Sequence, residues 1–136
     1  MAKRIRVAVF SNNPMDGCAW YRSMGPLSHL AKRSDVDFDI LPMKEVRLVQ
    51  AQCADVAFFS RPCTAEELDF IGSCRKMRVP VIVDHDDDLT QVPMDSPAHG
   101  VYMTPQTQGH LNLCAAFSDV LTVSTEALAQ TWRRLL

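Results

Sequence analysis

Asp84, Asp86, Asp87 and Asp88 place four carboxylates in a run of five residues, with His85 among them. Charges of one sign this close repel, so some must be offset by a cation, an arginine, a lysine or water. Asp84-x-Asp86 and Asp86-x-Asp88 both have a D-x-D spacing that can bind Mg²⁺ or Mn²⁺ through hard oxygens. A histidine in such a field is expected to hold its proton to higher pH, which suits a general base. His85 and Asp86 are therefore the candidate catalytic residues, and Asp88 a candidate substrate ligand. The plainer alternative is that Asp84 caps a strand and the remaining acids form a solvated turn.

The acids follow Pro80-Val81-Ile82-Val83, whose three apolar residues after the proline read as a short buried strand. In an open α/β sheet, ligands gather at the carboxyl ends of the strands. A second loop, Asp16-Gly17-Cys18-Ala19-Trp20-Tyr21-Arg22, follows the first strand. Gly17, just before a helix, allows close approach of a ligand, and the free N–H groups there favour anions. The segment lacks G-x-G-x-x-G, so dinucleotide binding has little support. Trp20 and Tyr21 could stack on a planar or sugar ring. Arg22 could hold a phosphate or pair with the acidic loop. The alternative is a simple turn, with Tyr21 in the core and Arg22 in a structural ion pair to Asp84 or Asp86. His99, in a long loop, is a further substrate-binding candidate or an ordinary loop histidine. Cys18 invites a nucleophile reading, but no histidine is implied beside it.

Strands and helices alternate to position these loops. Strands are expected at 5–10, 36–41, 55–60, 81–83 and 119–124. Helices are expected at about 20–32, 44–51, 64–78, 105–117 and 125–136. Pro26 implies that the first helix starts near Gly25 or has an irregular first turn. Thr64-Ala-Glu-Glu67 is a capping box. A loop of about 15 residues holding Pro93, Pro97 and Gly100 follows the acids, and loops of that length are often functional. Right-handed crossovers then give a doubly wound, parallel five-stranded sheet in three layers, a Rossmann-like α/β fold. The expected order is 3-2-1-4-5, which makes strands one and four neighbours and puts both loops in one crevice.

The bulk composition narrows the field. The 136 residues suffice for a single domain, 1–136. With 47% hydrophobic and 22% charged residues the chain reads as globular, and its net charge of -2 gives no pull toward nucleic acid or anionic membranes. No apolar run reaches the roughly 20 residues of a membrane span. The five cysteines are widely spaced, with no C-x-x-C pair, so we expect reduced thiols in a cytoplasmic protein, with Cys74 and Cys114 as packing residues. Leu128, Trp132, Leu135 and Leu136 predict an apolar patch on the last helix, covered by a second domain or by another subunit of a homo-oligomer.

Three segments together carry a family resemblance: G-C-A-W-Y-R (17–22), V-I-V-D-H-D-D-D-L-T-Q-V-P-M-D-S-P-A-H (81–99) and S-D-V-L-T-V-S-T-E-A-L-A-Q (118–130). They resemble the N-terminal domain of glycosyltransferases of the two-Rossmann (GT-B) architecture, group 1-like members from bacteria and their phages. Asp119, Thr122, Val123, Ser124 and Thr125 match directly. The resemblance implies an acceptor-side domain: a sugar acceptor in the crevice, His85 or Asp86 as base, and Arg22 as orienter. A nucleotide-sugar donor would be held by a C-terminal domain beyond these residues, and the architecture does not require a metal. The alternative is a non-catalytic Rossmann-like module binding a nucleotide, glycan or protein partner. Asp84-x-Asp86 is also similar to the haloacid-dehalogenase-type phosphatase motif. That motif belongs on a first strand with Thr or Val at the position held here by Asp88.

Overall fold

The computed structural model describes residues 4–11, 16–33, 36–42 and 51–136. Its five strands are β1 (Ile5–Ser11), β2 (Val36–Pro42), β3 (Val56–Ser60), β4 (Val81–His85) and β5 (Val120–Val123). All neighbouring pairs are parallel. The sheet order is β2-β1-β3-β4-β5, which corrects the expected 3-2-1-4-5. The reason is visible in the strands themselves. β2, Val-Asp-Phe-Asp-Ile-Leu-Pro, carries two acids and suits a sheet edge, whereas β3, Val-Ala-Phe-Phe-Ser, is apolar almost throughout and suits the interior. β3 therefore lies between β1 and β4, in register with β1 from Val7↔Val56 to Ser11↔Ser60. The winding reverses between β1 and β3, and the crevice opens there. Strands one and four are parallel but not adjacent, and their following loops still share the carboxyl edge of the sheet.

The helices are α1 (Gly17–Ala19), α2 (Gly25–Arg33), α3 (Ala65–Lys76), α4 (His99–Tyr102), α5 (Pro105–Ala116) and α6 (Glu126–Leu135). Right-handed connections put the β1–β2 helices on one face and the later helices on the other. Ala8, Phe10, Ala57, Phe59, Val81 and Val83 point toward the later helices and form the main core with Ile71, Cys74 and Cys114. Phe10 and Phe59 meet in a tilted pair, 4.8 Å between ring centroids and 31° between planes, and Phe70 meets both edge-on. A second cluster holds Leu89, Leu111, Ala115, Leu128 and Trp132 under the acidic loop and α6. Both expected packing cysteines, Cys74 and Cys114, are fully buried.

Proline at position 26 shapes the entry to the crevice. Between α1 and α2 the chain makes a π turn over Trp20–Met24, with the Gly25 N–H donating to the Trp20 carbonyl. A proline in a regular helix loses a hydrogen bond and collides with the preceding turn, and the wider π turn relieves both. Gly25 is needed because a Cβ there would sit 3.0 Å from the Trp20 oxygen. The first helix starts earlier than the sequence pattern suggests, with Asp16 as its N-cap accepting from the Ala19 N–H.

The capping box forms as expected: Thr64 Oγ1 accepts from the Glu67 N–H, and the buried Glu67 carboxylate accepts from Thr64 N–H. Leu128 and Trp132 are buried, whereas Leu135 and Leu136 are 49% and 59% exposed. Beside them a groove of about 410 Å³ is lined by Leu121, Val123, Ala129, Trp132, Arg133 and Leu136. The helix expected at 44–51 lies outside the described residues except for Ala51, as do 12–15 of the first loop. Among the described residues no helix is long and apolar enough to cross a membrane.

Candidate functional site

The fourth strand runs two residues further than its apolar segment, through Asp84 and His85. Side chains alternate along a strand, so these two leave on opposite faces. Asp84 turns to the face of the first helices. There Arg22 grips it through two hydrogen bonds, with Nε to Oδ2 at 3.0 Å. Thr122 Oγ1 donates to the same carboxylate at 2.6 Å. The Asp84 side chain is 3% exposed, so this is a structural ion pair, and the ligand-binding role expected of Arg22 gives way to it. The bond from Asp84 raises the Arg22 pKa further.

His85 turns the other way, into the core. It is fully buried and stacks on Trp132 with 4.9 Å between centroids and a 15° interplanar angle. Neither ring nitrogen has a hydrogen-bond partner. Burial lowers its pKa to about 4, outweighing the upward pull of Asp84 and Asp86. This corrects the expected raised pKa, and the ring lies where a crevice ligand does not reach it. A period of two along the sequence places residues 83 and 85 on one face, and the strand continues past its apolar segment to carry His85 inward.

Asp86 is the first acid beyond the strand, and its side chain is 15% exposed. Its Oδ1 is 3.7 Å from the Nε of Arg61 and, though buried, has no hydrogen bond. Arg61 Nη2 donates to Asp16 Oδ2 at 2.9 Å. One guanidinium thus ties the loops after β1, β3 and β4 together. Arg61 has φ of 51°, in the left-handed region that costs a side-chain-bearing residue roughly 1 kcal/mol. Its N–H donates to the Asp84 carbonyl at 2.9 Å, which fixes the turn. Cys18 faces this cluster. A hydrogen bond to Asp86, with burial next, pushes its pKa up to about 11, so it is a protonated thiol and no nucleophile. Tyr102, from the long loop, is half-buried near Arg61, and burial raises its pKa. Sequence reasoning missed Arg61 and Tyr102. With β3 placed at the sheet edge, an arginine at its carboxyl end had no reason to face the crevice.

The other candidates are dispersed around the rim. Gly17 is exposed, and a Cβ there would meet nothing within 4 Å. Tyr21 is 78% and Trp20 53% exposed, so Tyr21 is not a core residue. Asp87 is exposed. Asp88 Oδ1 accepts from Thr90 N–H at 3.1 Å and from its hydroxyl, closing a local turn. A hollow of about 250 Å³ lies between Asp86–Asp88 and the start of α6. His99 is 2.7 Å from the Val92 carbonyl through Nδ1, which anchors the long loop. Among the described residues no group of three or more His, Cys, Asp or Glu is arranged to hold a metal ion.

No family model and no curated protein matches the chain. Among solved structures, a conserved protein from Enterococcus faecalis V583 is similar at 13% identity and a TM-score of 0.49, over 97% of this chain and 99% of that one.

Proposed function

We propose that the chain is the acceptor-side, Rossmann-like half of a GT-B glycosyltransferase. A sugar would pass from a nucleotide-sugar donor, held by a second domain, to an acceptor hydroxyl in the crevice. The observation that carries this reading is the Asp86 carboxylate. It stands just beyond β4 at the carboxyl edge of the sheet, its side chain 15% exposed and 3.7 Å from the Arg61 guanidinium. Asp86 takes the acceptor proton as the hydroxyl oxygen attacks the anomeric carbon, and the nucleoside diphosphate leaves. The exposed rings of Trp20 and Tyr21 offer flat surfaces to a sugar, and the open space at Gly17 admits a ligand to the backbone. Arg22 acts indirectly, by locking Asp84 at the root of the loop. Measuring nucleoside diphosphate released from UDP-, GDP- and dTDP-hexoses by a form of the protein that carries the donor domain, with simple glycosides as acceptors, tests the reading. Release that depends on acceptor and is lost in Asp86→Asn supports it; equal release by that variant contradicts it.

A second reading is a non-catalytic module that binds a glycan, a nucleotide or a protein. The excess of aspartates in the crevice favours it, because among the described residues no cationic cradle for a donor diphosphate stands there. Glycan binding without turnover of any donor would select it.

A further inference from the structure

We infer that β5 and α6 form the interface of a two-fold dimer, in which the β5 strands of two copies pair antiparallel and join their sheets. The partner of this surface does not depend on the transferase reading. β5 pairs with β4 on one side and, among the described residues, with no strand on the other. An open edge offers unpaired backbone N–H and C=O groups, and edges that stay open usually carry charge, proline or a bulge. β2, at the far edge, carries Asp37 and Asp39. β5, Val-Leu-Thr-Val, carries neither charge nor proline and pairs with β4 without a break in register. Val120 on it is 49% exposed.

The groove of about 410 Å³ runs between this strand and α6, and Leu135 and Leu136 stand exposed at the end of the helix. An apolar strip beside an open strand edge suits a protein partner. Charge selects a second copy as that partner. Glu126, Ala129, Arg133 and Leu136 recur at three- and four-residue spacing and share one face of α6. Three of them line the groove, so this face borders it. The face is acidic at its start and basic near its end. A two-fold axis runs the second helix antiparallel, which brings Glu126 of each copy to Arg133 of the other. Ala129 lies between them, and its small side chain lets the helices approach closely. Within one chain the two charges pair at 2.6 Å, with side chains 68% and 67% exposed, so they can exchange partners across the axis. Opposed side chains of antiparallel strands share a face of the sheet. An axis at Thr122 therefore sets Leu121 opposite Val123 of the second copy, and both residues belong to the groove.

Sedimentation equilibrium of the 136-residue chain across the micromolar range tests this. A rise from the monomer mass to twice that mass is expected, with hydrogen exchange at the amides of 120–123 slowing as the dimer fills. Arg133→Glu makes the α6 face acidic at both ends, and Glu126→Arg makes it basic at both ends. Each variant alone should self-associate at least about tenfold more weakly, because like charges meet across the axis. Mixed in equal amounts, the two should recover the dimer, since every acid then faces a base. A loss confined to the helix of one chain is not rescued by mixing, and circular dichroism of each variant reports its folding. A chain that stays monomeric throughout, a dimer indifferent to both reversals, or folded variants that do not recover on mixing would each overturn the inference. So would a dimer that protects other surface segments in place of 120–123.

Discussion

Arg61 and Asp86 face each other across the mouth of the crevice, 3.7 Å apart, on loops from neighbouring strands. The pair depends on a second one beneath it. Arg61 N–H donates to the carbonyl of Asp84, whose side chain is held by Arg22 and Thr122. A carboxylate locked in an ion pair and one with a single long contact are thus separated by two positions at one strand end.

That separation predicts opposite responses to the same substitution. Asp84→Asn leaves Arg22 partly buried without its counter-charge, and should destabilise the fold by about 3 kcal/mol. Asp86→Asn should leave stability within about 1 kcal/mol, because its contact to Arg61 is long and other acids remain nearby. Urea denaturation of both variants measures the difference. Equal losses would remove the distinction between the two acids.

His85 predicts an acid limb in the stability profile. Its folded pKa, about 4, lies below the ordinary 6.5. Between these values the unfolded chain takes the proton first, so stability is full above pH 6.5 and is lost as the pH falls toward 4. The single group contributes roughly 3 kcal/mol over that window. His85→Phe keeps a ring against Trp132 and cannot titrate, so its stability should fall less across the same window by that amount. Denaturant midpoints at several pH values provide the check.

Among the described residues, the two other than glycine with positive φ should behave differently. Arg78 (φ 59°) closes the end of α3, where the Val79 N–H donates to the Cys74 carbonyl, and its side chain is exposed. Arg78→Gly should stabilise the chain by about 1 kcal/mol, since glycine fits the left-handed cap without strain. Arg61→Gly relieves the same backbone but severs the Asp16 contact, so it should gain nothing in thermal melts and should abolish ligand binding.

Thiol chemistry separates the cysteines. Cys53 is exposed, and should react first with iodoacetamide at neutral pH. Cys18 and Cys63 are both pushed up to about 11, the former chiefly by its hydrogen bond to Asp86 and the latter by burial. They should label slowly, and Cys74 and Cys114 only on unfolding. Mass spectrometry of timed samples reads the order, and rapid labelling of Cys18 would contradict its placement against Asp86.

Element types were legible in the sequence because each carries a local signal. The capping box at Thr64–Glu67, the proline at the start of α5 and a strand at Val36–Pro42 all appear as their patterns imply. Strand order is a contest between whole strands, and it was decided by the two aspartates of β2 against the apolar length of β3. The site suffered from the same difficulty. Asp86 and Gly17 could be placed in loops at the carboxyl edge because acids and glycines mark loops. Arg61 was missed because its role comes only from its neighbours across the sheet. His85 was misassigned because a hydrogen-bonded strand continues through polar residues that an apolar pattern excludes.

Ligands are expected at the carboxyl edge of the sheet, between the loops after β1, β3 and β4. Hydrogen exchange with and without a bound methyl glycoside locates the binding surface. Slowed exchange confined to amides of 16–18, 61–64 and 84–90 is predicted. Protection confined instead to β5 and α6, along the apolar groove beside Trp132, would contradict it.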